Sequence, residues 1–233
     1  MSETQALAAR LGAAGLFAGL KPELIGALAR EAIARRFASG ERIWRSGDAA
    51  THFVSVEEGL VEVEQATPQG EGILVGLFGP GDTLCVVPAL RARPYPADAV
   101  ALTKTVSALL VPGRAVFDAL ETHPQLERAL NRALVEHAEL LHAKIGIVSA
   151  GPVPRRLAAL FAYLGKRFGR REANGALRLD LELTRERIGQ LVGARTETVI
   201  RVLSRWQKAG WLRSGAAGFE VLQPEMLDRV AER

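Results

Sequence analysis

The sequence predicts an α+β chain in three parts: an N-terminal antiparallel β-roll preceded by helices, one long helix, and a C-terminal winged helix-turn-helix. Three observations predict it. Between residues 37 and 111 apolar and polar residues alternate at period two, broken by Gly-containing turns. From Pro124 to Val148 apolar residues recur at spacings of three and four. Residues 183–210, LTRERIGQLVGARTETVIRVLSRWQKAG, hold two short helical patterns separated by Gly193.

Composition sets the bounds. The 233 residues suffice for two ordinary domains, and 48% apolar with 24% charged residues is the balance of a folded, water-facing chain. No apolar run is long enough to span a bilayer. The first ten residues, MSETQALAAR, lack the basic-then-apolar profile of a secretory signal, so a cytoplasmic location is expected. A single cysteine excludes an internal disulfide and any cluster held by cysteines alone, iron–sulfur clusters included. The net charge of +4 divides unevenly, −3 over residues 1–149 and +7 over residues 150–233. A basic C-terminal half on a mildly acidic N-terminal half suits a nucleic-acid partner for the former.

In chain order, residues 2–36 read as helical, with Pro22 suited to the first turn of the second helix. The roll follows, with strands expected at residues 52–56, 60–64, 73–78, 99–102 and 106–111. Turns are expected at Gly40, Gly47-Asp48, Glu58-Gly59, residues 68–70 and residues 79–82. A metal-binding cupin enzyme shares this pattern but needs clustered His and Glu ligands. His52 is the roll's single histidine, and no nucleophile–base pair stands out. Neither a metal site nor an enzyme is expected.

Helix resumes at Arg114, and Pro124 begins the long element. Leu126, Leu130, Leu134, His137, Leu141, Ile145 and Val148 form a stripe that reads as a coiled-coil-like dimerisation seam. The alternative is a helix packed within its own chain. Residues 151–154, GPVP, end it and supply a hinge, dividing the chain into 1–113, 114–150 and 151–233. A helix over 154–168 buries Leu157, Leu160, Phe161 and Leu164. A polar loop at 169–175, a strand at 177–183 and a short helix from Pro224 complete the expectation.

Within the helix-turn-helix, Thr184 is the expected N-cap of the first helix, and Ile188, Leu191 and Val192 its buried face. Gly193 supplies the left-handed break. The second helix buries Val199, Val202, Leu203 and Trp206 and turns Thr196, Glu197, Thr198, Ile200, Arg201 and Arg205 outward. An ordinary helical hairpin, with Glu197 and Arg201 paired at i, i+4, would share this spacing. The strand–turn–strand pattern over 211–222 adds a wing, and a polar, partly basic second helix is the geometry that enters a major groove.

IGQLVGARTETVIRVLSRWQKAGWL resembles the DNA-binding domain of the CRP/FNR family of bacterial transcription regulators. FASGERIWRSGDAATHFVSVEEGLVEVEQ and the later GPGD resemble that family's sensor domain, a cyclic-nucleotide-binding roll. The resemblance implies a homodimer on double-stranded DNA, activator or repressor, with RNA polymerase as a further partner through the 169–175 loop. It implies that Glu197 and Arg201 read base edges. Thr196 stands where the CRP branch has an arginine, so the chain is nearer the FNR-like branches. Arg195 stands where the family has a Ser or Thr cap, and Thr196 is the candidate replacement. Thr184, Arg185 and Arg195 are expected on phosphates.

In the sensor, the family's cyclic-nucleotide binders use a Glu for the ribose and an Arg-Ser pair for the phosphate. Here Thr83, Leu84, Cys85 and Val86 follow Gly81-Asp82, and Pro96-Ala97 stand at the later pair. A buried phosphate without a cation is costly, so cAMP is not expected as the effector; an altered cyclic-nucleotide pocket is the alternative. Arg91 and Arg93 are expected in solvent. Leu84, Cys85, Val86 and Tyr95 mark the candidate effector pocket. Haem-binding relatives place a thiolate near Cys85, followed by a histidine that this chain lacks, so haem remains one candidate cofactor beside a buried, inert thiol.

Overall fold

The computed structural model describes residues 2–13, 15–66, 72–91, 93–215 and 217–232. The turn expected at residues 68–70 and Ala216 of the wing turn lie outside them. Helix α1 (Glu3–Gly12) opens on a capping box: the Ser2 hydroxyl accepts from the Gln5 amide and the Gln5 side chain accepts from the Ser2 amide. A 3-10 turn at Gly15–Phe17 and α2 (Pro22–Glu31) follow, with the proline in the first turn as expected. The helical expectation through residue 36 fails after Glu31. Residues Ile33–Ala38 form strand β1 instead, because only Phe37 is buried there and the backbone pairs antiparallel with a later strand.

The roll is two four-stranded antiparallel sheets. Strands β2 (Arg42–Trp44), β3 (His52–Glu58), β4 (Val61–Ala66), β5 (Gly72–Phe78), β6 (Thr83–Leu84), β7 (Asp98–Ala101) and β8 (Thr105–Pro112) order as β1-β8-β3-β6 and β2-β7-β4-β5. Alternating burial on β7 and long buried runs on β3 and β8 follow from the apolar patterning. A short helix α3 (Val86–Leu90), absent from the sequence expectation, lies after β6. Helix α4 (Gly113–Leu120) leads into α5 (Pro124–Ser149), 26 residues long.

Packing divides the chain into two compact units, residues 1–71 with 75–139 and residues 72–74 with 140–233. The division falls inside α5, earlier than the Gly-Pro segment at 151–154 where the sequence placed it. In the first unit Leu126 and Leu130 are 0% and 5% exposed, packed with Leu11, Phe17, Leu28 and Val116 in the core cluster, and Leu134 lies against that cluster. The expected dimer seam is therefore corrected at its start: Leu126 and Leu130 serve their own chain. His137 is half-buried. The exposed apolar residues of α5 are Val135, Leu141, Ile145 and Val148, the first of them 59% exposed.

The second unit contains α6 (Val153–Phe168), β9 (Arg170–Arg171), β10 (Leu177–Leu179), α7 (Arg185–Val192), α8 (Thr196–Lys208), β11 (Leu212–Gly215), β12 (Gly218–Val221) and α9 (Pro224–Glu232). Its sheet runs β11-β12-β10-β9. The strand expected through residue 183 stops at Leu179, because its neighbour β12 begins opposite that point and the chain must leave the sheet to start α7. Leu181 and Leu183 stay buried without pairing as strand. Phe161 of α6 meets Trp206 and Phe219 edge-on at 6.3 and 5.3 Å, holding α8 and the wing to one core.

The reassignment within α5 is testable by chemical denaturation. Leu126→Ala should cost about 2–5 kcal/mol of fold stability, whereas Arg128→Ala, at an exposed position of the same helix, should change it by no more than about 0.5 kcal/mol.

Candidate nucleic-acid interface

Helix α7 starts as expected. Thr184 is extended, and its hydroxyl accepts from the Arg187 amide at 3.1 Å. It ends at Gly193, which is left-handed at φ 63°, ψ 51°. A second glycine tightens the turn: a Cβ on Gly189 would lie 2.7 Å from the Ala194 carbonyl oxygen, and the Ala194 amide donates to the Gly189 carbonyl at 2.9 Å. Sequence reasoning passed over Gly189, since a glycine inside a helical pattern carries no turn signal of its own.

The last four carbonyls of α7 all find donors, and for the last three the donors come from far along the chain. The Gly189 carbonyl accepts from the Gly193 and Ala194 amides. Lys144 of α5 gives its Nζ to the Leu191 carbonyl at 2.6 Å and to the Gln190 carbonyl at 3.3 Å. Arg156 of α6 donates to the Val192 and Gly193 carbonyls at 2.9 and 2.8 Å, and to the Gly151 carbonyl at 2.9 Å. Cations at a helix C-terminus also meet the negative end of its dipole. Burial lowers the Lys144 pKa to about 8, and the carbonyls act in the opposite direction. Neither residue was legible as functional: each is one charge in an amphipathic stripe.

Helix α8 buries Val199, Val202, Leu203 and Trp206, as its spacing predicts. Its N-cap is Arg195, whose side chain makes no capping bond. Thr196 is already the first helical residue and does not replace the missing cap. The outward face carries Glu197, Ile200, Arg201 and Arg205, all exposed, with Thr196 and Thr198 half-buried at its margin. Ile200 is 47% exposed. Among the described residues no ion pair holds Glu197 to Arg201, so the plain-hairpin reading loses its expected contact.

Arg185 departs from expectation. Its guanidinium donates to the Ser214 hydroxyl at 2.8 Å and lies 5.1 Å from the Phe219 ring centroid. Gln207 of α8 donates to the same hydroxyl at 2.8 Å. Ser214 therefore ties both helices to the wing, and Arg185 is half-buried in that junction rather than standing free for a phosphate. On the wing, Arg213 pairs with Glu220 across β11 and β12 at 3.0 Å. Thr184 and Arg195 are exposed.

In the roll, Leu84 and Val86 are buried, and Val86 belongs to the core cluster. Cys85 and Tyr95 do come together. The Tyr95 ring stacks on Trp44 at 4.6 Å, and its hydroxyl and the Cys85 thiol lie near enough to act on each other's proton affinity. Cys85 has φ 71°, the only positive φ outside glycine among the described residues. Burial pushes both the Cys85 and Tyr95 pKa values up, so the thiol stays protonated near neutral pH. Cys85 is itself half-buried, so iodoacetamide at pH 7.5 should label its protonated thiol in the native protein much more slowly than in urea, read by intact mass; equally fast native labelling would contradict the raised proton affinity.

Comparison with known proteins agrees with the two-part architecture. The cyclic nucleotide-binding domain family matches residues 34–123, and the Crp-like helix-turn-helix domain family matches residues 155–230. The chain is 28% identical over 221 residues to a CRP-like cAMP-activated global transcriptional regulator of Mycobacterium tuberculosis, covering 95% of this chain and 98% of the relative. It is 29% identical over 187 residues to the transcriptional activator protein anr of Pseudomonas aeruginosa, covering 80% and 75%. Its fold matches FixK2 from Bradyrhizobium japonicum with a TM-score of 0.73 at 21% identity, covering 85% of this chain and 96% of that one. TTHB099 of Thermus thermophilus matches with a TM-score of 0.71 at 23% identity, covering 85% and 97%. Two family domains in this order, on a fold with the long helix between them, identify a transcription regulator and not an enzyme: the chain belongs to the CRP/FNR family.

Proposed function

We propose that two copies of this chain bind an inverted-repeat operator, each laying α8 along base edges in the major groove. The observation that carries this reading is the two-faced character of α8. Its apolar side is buried in the unit's core, while Glu197, Ile200, Arg201 and Arg205 stand exposed. Arg201 has the donor geometry for guanine O6 and N7, Glu197 accepts from cytosine N4, and Ile200 packs on a thymine methyl. The uncapped start of α8 leaves first-turn amides available to a phosphate oxygen beside the exposed Arg195. Thr184 flanks the same surface, and Thr196 and Thr198 border it. The supporting role of Arg185 is through the wing.

The second copy joins along α5, where Val135, Leu141, Ile145 and Val148 are exposed. RNA polymerase is the further partner, met at the exposed Arg170 and Arg171 within the 169–175 segment. The setting is the cytoplasm; no helix among the described residues is long and apolar enough to cross a membrane.

The effector of the roll is not cAMP on this reading. The run Thr83 to Val86 after Gly81-Asp82 carries no Glu, Pro96-Ala97 stand in place of the Arg-Ser pair, and Val86 is built into the core cluster. An effector acts by favouring one arrangement of the paired α5 helices over another.

A selection of bound sequences tests the operator reading. Arg201→Ala should lose about 1–3 kcal/mol of discrimination at one guanine, and Ile200→Ser should relax one T·A pair while keeping that guanine. Consensus sequences unchanged in both variants would remove α8 from the base edges. Isothermal titration of the purified chain with cAMP should show no micromolar binding; a micromolar isotherm would restore an altered cyclic-nucleotide pocket.

A further inference from the structure

We propose that Lys144 is a positioning residue for operator binding: it fastens the carbonyl end of α7 to the last turns of α5, and so fixes the presentation of α8. The proposal rests on the reading that α8 meets DNA, and adds a residue that touches no DNA itself.

The geometry is specific. Lys144 reaches two consecutive carbonyls, of Gln190 and Leu191, and Arg156 takes the next two, of Val192 and Gly193. Four successive carbonyls are thus held by cations from two different helices. α8 begins only three residues beyond Gly193, on an N-cap with no side-chain bond of its own. The turn is therefore fixed from behind, by Lys144 and Arg156, and not from within α8.

A role in fold stability alone is a poor account of Lys144. Its ammonium is enclosed enough for burial to lower its affinity for a proton, so its charge is carried at a cost to the folded state. Water would satisfy terminal carbonyls without that cost. A tether of fixed length between two helices is what a buried lysine on two carbonyls adds. Leu141 and Val148 lie about one helical turn to either side of Lys144 on α5, and both are exposed. A change in how α5 pairs with a second copy would thus move the atom that holds α7.

Hydrogen exchange on the DNA-free full-length protein, with operator binding measured by fluorescence anisotropy, tests the tether. Lys144→Met should speed amide exchange over residues 189–198 by about ten-fold. It should also weaken binding to the selected operator by about ten-fold with the consensus unchanged. Lys144→Arg should restore most of both. Lys144→Gln, which keeps a neutral donor, gives the same comparison if the methionine variant does not fold. Wild-type exchange and wild-type affinity in Lys144→Met would overturn the proposal. Should the unaltered protein select no sequence at all, the operator reading fails, while the exchange experiment still decides whether Lys144 holds the turn.

Discussion

A helix that stops abruptly leaves four carbonyls with no partner inside it, and that constraint organises the DNA-facing half of this protein. At α7 the stop cannot be gradual, because α8 must start three residues after Gly193. Left-handed backbone at Gly193 makes the reversal and satisfies the Gly189 carbonyl. The remaining carbonyls need donors with reach, and long cationic side chains on α5 and α6 supply them. Gly189 closes the arrangement, since any larger residue would force the Ala194 carbonyl away. A tight turn, two remote cations and one buried glycine are a single solution to one hydrogen-bonding problem.

The roll shows how a family pocket changes when its polar ligands are replaced. Tyr95, stacked on Trp44 and near Cys85, puts an aromatic ring and a protonated thiol together at the candidate effector residues. Val86 goes into the core. Cys85 holds a left-handed backbone, a conformation that costs an L residue about 1–2 kcal/mol relative to glycine. Burial raises its proton affinity, so the free thiol is a weak nucleophile near neutral pH.

Elements whose signal is local were legible in the sequence. Pro22, Thr184, Gly193 and the strand-turn-strand after Trp211 each declare a start, stop or reversal through their own side chains, and each element stands where those residues put it. Elements decided by what packs against them were not. Residues 33–36 continue a helical spacing, yet pairing with β8 makes them strand. Leu126 and Leu130 share one stripe with Leu141 and Ile145, but periodicity cannot say which stretch faces its own core. Arg185 looked like a free cation because Ser214 and Phe219 are distant in sequence. Lys144 was invisible for the same reason: a helix stripe says where a side chain points and nothing about the carbonyl it meets.

The residues of the reading unit are sorted by helix face, and this sorting bears on how the scaffold accommodates different operators. Val199, Val202, Leu203 and Trp206 hold α8 to Phe161 and the wing, and Gln207 and Arg185 share Ser214. None of these is available for recognition without loosening the unit. Glu197, Ile200, Arg201 and Arg205 have no part in those contacts, so substitutions among them leave the fold's own energetics nearly untouched. The large hydrophobic and hydrogen-bonding terms fix where α8 is, and on the proposed operator reading a few exposed side chains worth about 1–3 kcal/mol each decide what it prefers. An exposed isoleucine among them is difficult to justify by the fold, which gains nothing from its 47% exposure. It is intelligible if that side chain is buried only when a thymine methyl lies against it.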